Sequence, residues 1–118
     1  MTIGVEAVLI ETTRLKELAE FYRNGFGFAE PDTLEADQVG FQIGEVYFGL
    51  EQVDEEVAAS RRMSLWFKVD DARAVYERLL SLGATSKDIP ESVDDEVVAA
   101  VYDPDGNALG LMSDRPDS

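Results

Sequence analysis

The 118-residue chain contains no cysteine and no histidine. Without cysteine there is no disulfide framework, no thiolate metal site and no cysteine nucleophile. Without histidine the commonest general base and the commonest transition-metal ligand are gone, along with every Ser-His-Asp arrangement. Positive charge is scarce as well. Ten Lys and Arg stand against 25 Asp and Glu, a formal charge of −15, and only Lys16, Lys68 and Lys87 are lysines. A phosphate backbone needs a basic footprint, so nucleic acid is not an expected partner. No apolar run approaches the ~20 residues of a membrane span. Met1-Thr2-Ile3-Gly4 leads into a strand-like run without a signal-peptide pattern. The expectation is a cytoplasmic protein with no membrane partner.

Hydrophobic residues make up 45% of the chain, which suits a globular protein with a real core rather than a disordered acidic segment. The length fits a single domain spanning 1–118. Three readings of the acidity stay open: a solubilising surface, adaptation to high salt, and attraction of a cationic ligand.

The chain falls into two similar halves. Val5 to Glu11 reads as a strand. Leu15, Leu18, Ala19 and Tyr22 then follow at helical spacing, with Thr12 or Thr13 as N-cap and a stop near Asn24-Gly25. Val39, Phe41 and Ile43 alternate with polar or small residues, and Gly44-Glu45 can turn the chain into the run Val46 to Gln52. In the second half Ser64 to Val69 is a strand, and Asp70 or Asp71 caps a helix bearing Ala72, Val75, Tyr76 and Leu79 on one face. Leu82-Gly83-Ala84 ends that helix. The charged residues 53–62 read as a connector able to carry one helical turn. The predicted architecture is α+β: a βαβββ module over about 4–52, the connector, and a second module over about 63–113, with mostly antiparallel pairing.

Tyr102-Asp103-Pro104-Asp105-Gly106-Asn107-Ala108-Leu109-Gly110-Leu111 carries a hairpin signal. Pro104 presets φ, the Asp side chains can bond backbone amides, and Gly106 or Asn107 tolerates positive φ. With its flanking apolar runs, Val97 to Tyr102 and Ala108 to Met112, the segment resembles the closing hairpin of the vicinal oxygen chelate superfamily. That superfamily comprises the glyoxalase, bleomycin-resistance and extradiol dioxygenase proteins. Val8 to Ile10, Leu15, Leu18, Phe21-Tyr22 and Gly27-Phe28 are similar to its first module. Leu65-Trp66-Phe67-Lys68-Val69-Asp70-Asp71 and the Leu82-Gly83-Ala84 helix end are similar to its second. The resemblance covers residues 4–113. It implies tandem modules whose curved sheets surround a cavity, and a homodimer.

In metal-dependent members of that superfamily, the first and last strands of each module supply the four metal ligands. The resemblance places Ala7, Gly49, Ser64 and Gly110 at those positions, and such residues cannot hold a divalent ion. Glu6, Glu11 and Glu51 lie close by. A one-residue slip would turn Glu6 toward the helices, while Glu11 and Glu51 keep the inward parity one pleat further along. Their ordinary role is that of solvated carboxylates at strand ends.

Alternation predicts which residues face the cavity. In the first half these are Ala7, Leu9, Glu11, Gln38, Gly40, Gln42, Tyr47, Gly49 and Glu51. In the second they are Ser64, Trp66, Lys68, Val98, Ala100, Tyr102, Ala108, Gly110 and Met112. The other parity is almost wholly apolar and should pack on the helices. A lining of aromatic, small and polar residues suits an amphipathic small-molecule pocket, in which the small residues leave room for the ligand. Leu9, Gln42, Tyr47, Gly49, Glu51, Ser64, Trp66, Tyr102, Gly110 and Met112 are the expected ligand-binding residues. Trp66 can alternatively anchor a dimer or the core, Met112 can be core filler, and Lys68 should be solvated.

Two functions compete. One is a non-metallic module, with no cofactor and no catalytic residue, that sequesters a cationic or aromatic small molecule as bleomycin-resistance proteins do. The other is a divalent-metal lyase, isomerase or dioxygenase with relocated carboxylate ligands. Metal-free proton transfer by Glu51, Tyr47 or Tyr102, and a purely structural or regulatory role, have no motif of their own.

Overall fold

Period-two alternation and two amphipathic stripes become strands and helices where the sequence places them. The computed structural model of the chain describes residues 5–55 and 64–116. It divides into two compact units, Met1–Ala58 and Ala59–Ser118. The first unit runs β1 (Ala7–Thr12), α1 (Leu15–Phe26), β2 (Thr33–Leu34), β3 (Gln38–Ile43) and β4 (Val46–Gln52). The second runs β5 (Ser64–Lys68), α2 (Ala72–Ser81), β6 (Thr85–Val93), β7 (Glu96–Tyr102) and β8 (Ala108–Asp114). Each unit is thus a βαβββ module. The possible helical turn in the connector falls largely outside the described residues.

Each module folds into one four-stranded mixed sheet, ordered β1-β4-β3-β2 and β5-β8-β7-β6. The first and last strands of each module pair in parallel, and the remaining pairs are antiparallel. The helix between them supplies the crossover that a parallel pair requires. No helix among the described residues is long and apolar enough to cross a membrane.

The apolar parity faces the helices as expected. Val39, Phe41, Phe48 and Leu50 are buried under Leu15, Leu18, Phe21 and Tyr22 in the first unit, and Leu109 and Leu111 join Val75 and Leu79 in the second. The first core is aromatic: Tyr22 meets Phe48 at 4.9 Å between ring centres, and Phe28 meets Phe41 at 5.1 Å. Edge-to-face and tilted contacts of this kind add to the burial of the rings themselves.

Helix boundaries differ from the sequence expectation in α1 but not at the α2 cap. Asp71 caps α2, its carboxylate accepting from the Ala74 amide at 3.1 Å. In α1, however, the N-cap position is Arg14, which makes no side-chain capping bond. Thr12 accepts instead from the Arg14 amide, and the Gln52 side chain of β4 reaches across to the Leu15 amide at 3.0 Å. A long-range acceptor has taken the place of a local one. The helix also continues past Gly25 to Phe26 and stops at Gly27, whose φ of 74° is left-handed. Gly25 lies inside the helix without the positive φ that Gly27 supplies.

The 103–107 turn is built around one carboxylate. Asp103 is 3% exposed, and its two oxygens accept from the Asp105 amide, the Asn107 amide and the Asn107 side-chain nitrogen, each at 2.9 Å. Gly106 supplies the positive φ, 92°.

Candidate functional site

In the first unit, the face away from α1 carries a strip of bare backbone. Gly40 of β3 and Gly49 of β4 are register partners, so two adjacent strands lack a Cβ at the same place. The strip is roofed from within. A Cβ on Gly40 would overlap the hydroxyl end of Tyr47, and one on Gly49 would sit 2.7 Å from Leu9 Cδ2 and 2.9 Å from Tyr47 Cε2. Tyr47 lies diagonally across the sheet and is half-buried, with its hydroxyl 3.4 Å from Gln38 Nε2. Leu9 stays 53% exposed.

The second unit repeats the device with a larger side chain. Trp66 of β5 and Gly110 of β8 are register partners, and a Cβ on Gly110 would fall within the indole. The indole therefore lies flat on the Gly110 backbone. Its Nε1 donates to Ser64 Oγ at 3.1 Å, which fixes the ring's rotation, yet 54% of Trp66 stays exposed. Leu9 over Gly49 and Trp66 over Gly110 occupy equivalent places in the two modules. The space expected to be left for a ligand directly over Gly40 and Gly110 is filled by the protein's own rings. What faces outward is the other surface of those rings.

The remaining expected residues take simpler positions. Glu11 and Glu51 stand side by side in the β1–β4 register, Glu11 exposed and Glu51 half-buried. Gln42 curls back on its own turn, its side chain donating to the Gly44 carbonyl at 3.2 Å. Tyr102 and Met112 are half-buried. By strand parity they share Gly110's face of the second sheet. Lys68 is exposed and pairs with Asp114 at 3.1 Å.

These positions do not fit a divalent metal. Ala7, Gly49 and Gly110 offer no side-chain donor, and the Ser64 hydroxyl is engaged by Trp66. Among the described residues no three Asp or Glu are grouped to hold an ion. Nor is any buried side-chain nitrogen or oxygen there left without a partner. Sequence parity identified the face but missed the roofing, because parity fixes the side of the sheet and not the side-chain torsions. A glycine directly beside an aromatic on the neighbouring strand is the signal that could have found it.

A family model described as a glyoxalase-like domain matches residues 7–112. No curated protein matches the chain significantly. Among solved structures the chain is similar to a glyoxalase-related enzyme from Fulvimarina pelagi, with a TM-score of 0.81 and 20% identity over 94% of this chain and 88% of that one. A glyoxalase/bleomycin resistance protein/dioxygenase family enzyme from Burkholderia phytofirmans PsJN gives 0.79 and 19%, over 96% and 100%. The fosfomycin resistance protein FosX from Mesorhizobium loti gives 0.75 and 20%, over 99% and 97%. At such identities the likeness concerns the fold, and the chemistry has to be read from the residues.

Proposed function

The chain belongs to the glyoxalase-like domain family, and from that premise we propose that it is a non-metallic small-molecule-binding protein. In this reading it holds a ring-bearing organic ligand against the Gly110 face of its second sheet, as a cytoplasmic homodimer. The observation that carries it is Trp66, laid flat on Gly110, fixed by Ser64 and more than half exposed. An aromatic side chain already immobilised loses little further entropy when a planar ligand stacks on it. Tyr102 and Met112 lie on the same face of the second sheet and supply polar and soft contacts. In the first unit Tyr47 and Leu9, with Glu51 on their face, present a surface of the same kind. The similar structures include a fosfomycin resistance protein and an enzyme of the glyoxalase/bleomycin resistance protein/dioxygenase family, which accords with a small organic ligand.

The test is a thermal-shift screen with planar aromatic metabolites and cationic glycopeptides, read together with fluorescence of the chain's single tryptophan. A ligand at ten times its Kd should raise stability by about 1.4 kcal/mol and quench Trp66. Trp66→Ala should abolish the shift. Strong stabilisation by divalent ions with none from organic ligands would sink the proposal.

The register pairing of Glu11 with Glu51 favours one second reading, a metal-dependent lyase, isomerase or dioxygenase built on carboxylates. Stoichiometric metal in chelator-free protein, lost in Glu11→Ala or Glu51→Ala, would establish it.

A further inference from the structure

A pocket of about 410 Å³ opens on the helix side of the first sheet, the face opposite to Tyr47 and Gly49. Its floor is Val39 and Phe41 of β3, and Leu15 and Ala19 of α1 form one wall. Leu34, 74% exposed, stands at the lip. The short side chain of Ala19 leaves the space open where a larger residue would fill it. Phe41 is backed by the aromatic core through Phe28, so the floor is firm. The volume lies within the range that holds small organic ligands.

Charge selects the occupant. At one end Arg23 of α1 pairs with Glu30. Lys16, Glu20 and Glu35 also line the pocket, and none of the three has an ion pair with a described residue. The rim is therefore one negative charge in excess, on a chain whose field at −15 draws cations.

We propose that this pocket binds a monocationic amphipathic amine. Its hydrocarbon or aromatic body lies on Ala19, Leu34, Val39 and Phe41, and its ammonium sits at Glu35. One positive charge cancels the excess, whereas an anion would meet two carboxylates with a single lysine to offset them. The site is separate from the inner sheet faces and does not depend on Trp66.

The test is an NMR titration of the full chain with phenethylamine, with phenethyl alcohol and hydrocinnamate as neutral and anionic controls. Saturable shifts should concentrate at Ala19, Leu34 and Val39. At low salt the amine should bind about threefold more tightly than the alcohol, and the anion more weakly than either. Glu35→Gln should remove the amine's advantage at this pocket, Ala19→Leu should remove the shifts at Leu34 and Val39 for all three, and Trp66→Ala should leave those shifts as they are. Should Ala19→Leu fail to fold, Leu34→Ser at the exposed lip replaces it, with a severalfold loss expected. Shifts confined to Leu9, Tyr47 and Trp66 would overturn the proposal, as would no saturation below about 10 mM or an anion that binds as tightly as the amine.

Discussion

At Gly40, Gly49 and Gly110 the missing Cβ is filled by a side chain from the same sheet, so these residues act through their neighbours. Gly110 has no unusual φ, and alanine there is strained only by the indole that lies on it. Gly110→Ala should therefore destabilise the protein by about 1–3 kcal/mol through overpacking. In a Trp66→Ala background the same change should be neutral, or stabilising by up to about 1 kcal/mol, because alanine restricts the unfolded chain. Denaturant unfolding of the four proteins in the cycle reads this change of sign directly. A cost that persists without the tryptophan would show that the ring is not what excludes the methyl.

Among the elements, the two helices are tied to the last strand of their own module by different side chains. Gln52 of β4 is exposed and accepts from Leu15. Ser113 of β8 is 2% exposed and accepts from the Ala72 amide at 2.9 Å. Water can replace the first acceptor but not the second. Gln52→Ala should thus cost about 0.5–1 kcal/mol and Ser113→Ala about 1–3 kcal/mol. Hydrogen exchange should show loss of protection in the first turn of the helix concerned. The sequence exposed most elements because alternation and stripes report burial, and Val39, Phe41, Leu109 and Leu111 obey them. It did not expose β2, which is two residues long. Nor did it resolve β6, whose residues Thr85–Val93 include Pro90 and are nearly all exposed on an irregular edge. Buried alternation has nothing to act on there. The α1 cap was missed for a related reason: Gln52 is 37 residues from Leu15, beyond any local motif.

Across the whole molecule, the excess of acidic residues dominates. The ion pairs Lys68–Asp114 at 3.1 Å and Lys87–Asp88 at 3.3 Å are exposed, and such pairs add little. Repulsion among like charges should then limit stability at low salt. Raising KCl from about 0.01 to 0.3 M shortens the screening length from ~30 Å to below 10 Å, and the Tm should rise by roughly 5 °C. A rise that continues beyond about 1 M would favour a salt-adapted surface over simple solubilisation, and a flat Tm would remove repulsion as a factor. The flat indole on Gly110 has a consequence for how this chain can change over time. A carboxylate side chain at position 110, one of the four places the superfamily resemblance assigns to metal ligands, needs the volume the ring now holds. Any mutational route to that carboxylate must first move or lose Trp66. The two positions are locked in order, and a single substitution cannot turn this scaffold into a metal site.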